Sequence, residues 1–201
     1  MSGYASAGNE PFPNPSNQHF AAGVKPDTTT LMKSLPRNMT SRLAVFSACG
    51  QHRYWLRRNL NGQTGRHVLW IMMNPSCADE ATNDATTTMT TNISRRHGYD
   101  VHGVVNLSAV IEADSTRLTA GDGNSDLLND QAIDRALSWI SRHHGDIVIA
   151  WGTSRHLKRC EARILGRLKR RQLLCLGRNQ DGSPRFPRAI SRDAALTKFT
   201  R

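Results

Sequence analysis

The sequence predicts an α/β protein with a central, mainly parallel sheet, helices on both faces, and a hairpin in front. Three observations carry this. The stretches His67 to Met73, Val101 to Leu107 and Asp146 to Trp151 are near-continuous apolar runs, which fit strands covered on both faces. Stretches of helical period lie between and after them. Strands alternating with helices along one chain imply a parallel sheet sandwiched between helical layers. The 201 residues suffice for one core, so the chain reads as a tail, 1–37, followed by a single domain, 38–201.

Each element has a local reason. The tail is rich in Ser, Asn, Gly, Pro and Thr, with few apolar residues and no period, and reads as a disordered leader. Leu43 to Cys49, a turn at Gly50, and Tyr54 to Leu60 form the hairpin, with Arg53, Arg57 and Arg58 on its second strand. Asn61-Gly62 is a turn dipeptide ahead of the first buried strand. Asn83-Asp84 caps a helix that runs to about His97 and stops at Gly98. Asp126 to about His143 is an amphipathic helix with Leu127, Ile133, Leu137 and Ile140 inward. Ser154 to Arg170 is a third helix and Leu173 to Leu176 a fourth strand. From Gly177 the chain is a long, basic, proline-containing loop with one terminal helix.

Charge supplies the first functional clue. A net charge of +11 favours a polyanionic partner, DNA or RNA first, with an anionic membrane surface as the rival. No apolar run approaches the roughly 20 residues that span a bilayer. The first ten residues lack the basic start and apolar core of a signal peptide, so a cytoplasmic protein is expected. Cys49, Cys77, Cys160 and Cys175 form no C-x-x-C pair. That argues against a zinc or iron–sulfur site and for reduced thiols, and no metal or cofactor is expected.

In a parallel sheet, ligands bind beyond the carboxyl ends of the strands. Here those ends read Asn74-Pro75-Ser76, Asn106-Leu107-Ser108, Gly152-Thr153-Ser154 and Gly177-Arg178-Asn179. All are polar or small, and they converge on one cleft. Asn74 stands at a strand tip, held extended by Pro75, where it can position a water or simply make a turn. Asn106 offers a donor and an acceptor, as reading a base edge requires, or it caps a turn. Arg155, Arg159, Arg163, Arg167 and Arg171 recur every four residues, with Leu157, Cys160, Ile164 and Leu168 on the apolar side. The stripe has one acidic member, Glu161, so it reads as a phosphate-tracking surface, with Ser154 at its head and Lys158 beside it. The alternative is a solvated face. In the last loop Phe186 lies between Arg185 and Pro187, a pattern that suits bracing a DNA groove or a plain surface loop.

Taken in order, these segments resemble the motifs of the uracil-DNA glycosylase superfamily. Asn74-Pro75-Ser76 resembles its water-positioning motif, Val104-Val105-Asn106 its base-reading strand, and Trp151-Gly152-Thr153-Ser154 its strand-to-helix turn. Pro184-Arg185-Phe186-Pro187 resembles its minor-groove loop. From about Arg42 to Ile190 the chain is more closely similar to a bacterial and phage family of unassigned function. That family's pattern is Asn-Pro-Ser-x-Ala-Asp, Asp-x-Thr, Val-Asn-Leu and Ala-Trp-Gly, then Leu-Gly with a Pro-x-x-Pro loop. The resemblance implies a glycosylase-like fold and base excision from double- or single-stranded DNA, without cofactor, membrane or obligate protein partner. It assigns water positioning to Asn74 and the sugar-facing carboxylate to Asp79 or Asp84, the latter alternatively a helix cap. Base reading falls to Asn106 and Ser76. DNA contact falls to Ser154, Arg155, Lys158, Arg159, Arg185 and Phe186. Phe186 departs from the pattern, standing where the superfamily keeps a histidine that steadies the leaving base. That role then passes to Asn106, Arg185 or backbone N–H groups. The small Ser76, Cys77 and Ala78 replace the bulky aromatic of uracil-specific enzymes, which points to a C5-substituted pyrimidine such as hydroxymethylated or glucosylated cytosine in phage DNA. The rival readings are an inert DNA-binding module of the same fold and an enzyme of free nucleosides or nucleotides.

Overall fold

The computed structural model describes residues 35–200 apart from 37, 63, 120, 122–125, 154 and 192. The expected tail lies outside the described residues except for Leu35 and Pro36. Leu35 is buried in the core, and Arg135 donates to the carbonyls of Leu35 and Pro36 at 2.8 and 2.6 Å.

Seven strands form one sheet: β1 (Ala44–Phe46), β2 (Arg53–Asn59), β3 (His67–Met72), β4 (Val101–Asn106), β5 (Asp146–Ile149), β6 (Leu174–Cys175) and β7 (Thr197–Lys198). Their order across the sheet is β1-β2-β4-β3-β5-β6-β7. The β4-β3-β5-β6 centre is parallel, while β1-β2, β2-β4 and β6-β7 are antiparallel. The expectation of a mainly parallel sheet is therefore corrected to a mixed one. The predicted hairpin is β1-β2, ahead of the other strands in the chain, and it joins the sheet through β4. The terminal segment forms the edge strand β7 instead of the expected helix, because Phe199 donates its N–H to the Leu173 carbonyl and packs on the core.

Among the described residues the α-helices are α1 (Ala85–Arg96), α2 (Leu127–Arg142) and α3 (Lys158–Arg167). Odd-numbered residues of β3, such as Leu69 and Ile71, join the core formed with α2 and α3, whereas Val68 and Trp70 join the core under α1. Helices thus cover both faces. Gly103 of β4 is needed on the α2 side. A Cβ there would sit 2.4 Å from Trp55 and 2.9 Å from Trp139, whose rings meet edge to face. In α2 the inward rows are Ala132, Ile133, Ala136, Leu137 and Ile140. Leu127 was expected among them but is 56% exposed, because it shares a helical phase with exposed Asp134. The helix α3 starts later than predicted. Thr153 bonds Ser183 Oγ at 2.9 Å, and Leu157 opens the helix without a side-chain cap. Among the described residues no helix is long and apolar enough to cross a membrane.

Helix α1 has an unusual composition, with Thr at 86, 87, 88, 90 and 91. Threonine is a poor helix former, so caps and packing must hold the element. Asp84 caps it by accepting from Thr87 N at 2.6 Å, and Gly98 follows it at φ +73°. Its buried face is polar and fully engaged. Trp70 Nε1 donates to Ser94 Oγ at 3.0 Å, and Ser94 donates to His102 Nδ1 at 3.0 Å. His102 Nε2–H faces Thr90 Oγ1 at 3.5 Å, and Thr90 donates to the Thr87 carbonyl at 3.2 Å. This chain of donors fixes the histidine tautomer.

Burial, aided by the charges of Arg58 and Arg95, pushes the His102 imidazole from 6.5 down to about 3, so it is neutral in the fold. An unfolded chain takes up that proton near 6.5. The stabilisation is thus fully present above that pH and is lost as the pH falls from about 6.5 toward 3. We expect urea-unfolding free energies to fall with acidification by up to ~1.4 kcal/mol per pH unit from this group, and the slope to flatten by that amount in His102→Asn.

Candidate functional site

The parallel strand order reverses between β3 and β5, since β4 lies on one side of β3 and β5 on the other. Crevices form at such points beyond the carboxyl ends. A cavity of about 100 Å³ opens there. Its walls come from five directions: the end of β3, the start of α1, the segment after β4, the loop after β6, and the start of β2.

From β3 come Met72, Met73, Asn74 and Ser76. Asn74 Nδ2 donates to the carbonyls of Pro75 and Glu112 at 3.0 and 2.6 Å. Glu112 N returns a bond to the Pro75 carbonyl at 3.0 Å. Both amide hydrogens of Asn74 are thus committed to carbonyls. Its Oδ1, which meets no protein donor among the described residues, is left as an acceptor at the cavity wall.

From α1 come Asp84, Thr86 and Thr87. Asp84 is both the helix cap and part of the wall: Oδ1 holds Thr87 N, which leaves Oδ2 for the cavity side. From the segment after β4 come Glu112, Ala113 and Ser115, and from the last loop Phe186 and Arg188. Gly152 explains how that loop closes in. At φ +74° it adopts a conformation L side chains rarely take, and a Cβ there would sit 3.0 Å from Phe186 Cβ. Its N–H holds the Pro184 carbonyl at 2.9 Å.

Arg53, at the start of β2, also lines the cavity although only 2% of it is exposed. Its Nη1 donates to the Ala78 carbonyl at 2.6 Å, while Nε is buried without a partner. Desolvation lowers the guanidinium to about 10 against the opposing pull of Asp84, so it remains a cation at neutral pH.

Of the residues singled out in the sequence, Asn74, Ser76, Asp84 and Phe186 meet in this cavity. Asn106 does not line it. It is 1% exposed at the end of β4, in register with the lining residue Met72, and its Oδ1 is buried without a partner. Asp79 is corrected to a turn builder outside the cavity: its Oδ1 accepts from Ala81 N at 2.8 Å and Thr82 N at 2.6 Å, which holds its carboxyl below the usual range. Arg155 borders an adjoining hollow that shares Met73 and Ser115 with the cavity. Lys158 pairs with Glu161 at 3.1 Å, Arg159 is exposed on α3, and Arg185 donates to the Arg178 carbonyl at 3.1 Å. None of these three lines the cavity. Ser154 lies outside the described residues.

The arginine stripe is also less free than its sequence indicates. Arg163 and Arg167 both reach Asp130 of α2 at 3.2 Å, Arg167 reaches Asp134 at 3.6 Å, and Arg171 donates to Ser141 at 2.6 Å. The neutralising acids come from a neighbouring helix, so no local spacing within α3 reveals them. Sequence reasoning missed Arg53, Glu112 and Arg188 as wall residues. Arg53 carried a signal, since a cation opening the apolar stretch Tyr54-Trp55-Leu56 has to be buried with a purpose. Glu112 lies in a patternless segment.

We expect Arg53→Met to lower the unfolding free energy in urea by about 2–3 kcal/mol, because it strands the buried Ala78 carbonyl. An unchanged midpoint would remove Arg53 as the anchor of this wall.

No curated protein and no solved structure matches the chain. A family model does, over residues 53–188, which is more than half of the 201 residues. The matched span begins at Arg53 and ends at Arg188, both in the cavity wall. The chain belongs to the family described as protein of unknown function (DUF1643).

Proposed function

We propose that this protein is a DNA glycosylase of the uracil-DNA glycosylase type. It hydrolyses the N-glycosidic bond of a C5-substituted pyrimidine, hydroxymethylated or glucosylated cytosine in phage DNA, and leaves an abasic site. The observation that carries this reading is Asn74. With both amide hydrogens bound to carbonyls, its Oδ1 can only accept. A water that donates to it turns a lone pair toward a sugar lodged in the cavity. The Asp84 Oδ2, in the same wall, offsets the positive charge of an oxocarbenium-like sugar.

Extruding the nucleotide puts its base between Phe186 and the β3 end, where the ring offers a stacking face. Negative charge on the departing base meets two wall cations, Arg53 and Arg188. They take the part of the missing histidine, for which the sequence offered Asn106, Arg185 or backbone N–H groups. Asn106, the base reader that the resemblance implies, keeps an unpaired acceptor one strand from Met72 but stands outside the cavity, so the base edge meets the wall residues instead. Ser76, Ala113 and Ser115 form a wall of small residues that leaves room for a C5 substituent.

Phe186 supports one rival, an inert module that binds DNA without cleaving it, because no histidine lines the cavity among the described residues. An abasic-site assay separates the two. The purified protein meets oligonucleotides carrying cytosine, uracil, hydroxymethylcytosine or glucosylated hydroxymethylcytosine, followed by alkaline cleavage. We expect breaks at a modified cytosine, abolished in Asn74→Ala. Asp84→Asn, whose amide still caps the helix, loses about 10²–10³-fold in rate, with a lowered thermal midpoint because the carboxylate facing buried Arg53 is gone. Binding without breaks on every substrate would establish the inert module instead. Ser76→Tyr narrows the wall and is expected to stop excision of the larger base first. Retained excision there would overturn the C5 assignment.

A further inference from the structure

We propose that the groove along the outer face of α1 is a track for single-stranded DNA leaving the cavity, a phosphate-binding site separate from the α3 stripe. The inference rests on the reading of the cavity as a DNA-processing site.

The groove has a volume of about 690 Å³ and runs between α1 and the segment that follows Pro187. It adjoins the cavity at Arg188, which lines both. On the α1 side Thr88, Asn92 and Arg96 recur every four residues, so they stand in one row about 6 Å apart. The row offers a hydroxyl, an amide and a guanidinium, each able to donate to a phosphate oxygen, and all three side chains are exposed. Arg188 adds a second cation from the opposite wall, and no carboxylate lines the groove among the described residues. Asp193 stands beside it, paired with Arg96 at 2.9 Å. That pair is exposed, with the Asp193 side chain at 92%, so a phosphate can take the place of the carboxylate at little cost.

The floor decides between one strand and two. Met89 and Ile190, both half-buried, give the groove an apolar base. Apolar side chains between rows of donors suit unstacked bases, which a duplex keeps inside. By contrast, half of the α3 stripe is occupied by Asp130, Asp134 and Ser141. The α1 row is therefore the better candidate for the strand that flanks the extruded nucleotide.

The test is fluorescence anisotropy with a labelled oligothymidylate of about 12 nucleotides, compared with a hairpin duplex, across a salt series. The wild-type protein is expected to prefer the single strand. Arg96→Glu should weaken it about tenfold and reduce the salt slope by about 1–2. Thr88→Lys should tighten binding several-fold, a gain that damaged folding cannot mimic. Equal binding by Arg96→Glu and wild type, tighter binding of the duplex, or loss of binding only in Arg155→Glu or Arg159→Glu would each overturn the track. Abasic-site formation is scored separately. Weakened binding in Arg96→Glu with no excision by the wild-type protein would sink the glycosylase reading and leave the track standing. Excision by wild type with Arg96→Glu unaltered in binding would do the reverse.

Discussion

The cleft end of this molecule depends on a buried guanidinium. Arg53 enters the sheet at the start of β2 and is almost fully removed from water. Burying a cation is costly unless it is hydrogen-bonded and faces an opposite charge. Ala78 supplies a carbonyl and Asp84 an attractive field. The bond ties the loop after Asn74 to a strand two places away in the sheet. Arg58, from the same strand, fastens the far half of that loop by donating to Asn83 Oδ1 and to the carbonyls of Asp79 and Thr82. The segment 73–84 between β3 and α1, without regular structure of its own, is thereby given one conformation.

That loop delivers α1, and α1 is held by a different device. Its sheet-facing side is made of hydroxyls, which would be a poor choice for an ordinary core. The donor chain from Trp70 through Ser94 and His102 to Thr90 and Thr87 satisfies them in turn. A buried network of this kind is costly to disturb, because each member left unpaired keeps its desolvation penalty. Its far end is Thr87, whose N–H is held by Asp84 and whose side chain reaches the cavity wall. Core and site therefore share one hydrogen-bonded path, so the orientation of the Asp84 carboxylate is set by packing under the sheet.

The charge of the chain divides between structural and free cations. Arg53, Arg58, Arg163 and Arg167 are engaged in holding loops and helices together. Arg155, Arg159 and Arg188 are exposed around the cleft and on the helix nearby. A net charge of +11 sets the sign of the partner but not its place, because the formal count treats both kinds alike.

The sequence by itself determined what depends on neighbours along the chain. The apolar runs marked β3, β4 and β5, Asp84 and Gly98 bounded α1, and the polar end of the first buried strand named Asn74 and Ser76, which meet in the cavity. Period, capping and turn chemistry are local, so they can be read one window at a time. Only the tertiary structure decided which strands run antiparallel, because β2 and β7 pair with elements distant in sequence. It also decided that Asp79 closes a turn while Asp84 faces the cavity, and that α2 neutralises α3. Arg53, too, enters the wall only when the sheet is assembled. These outcomes depend on which groups are brought within a few ångströms of one another in the folded chain, and no spacing within a single segment encodes that.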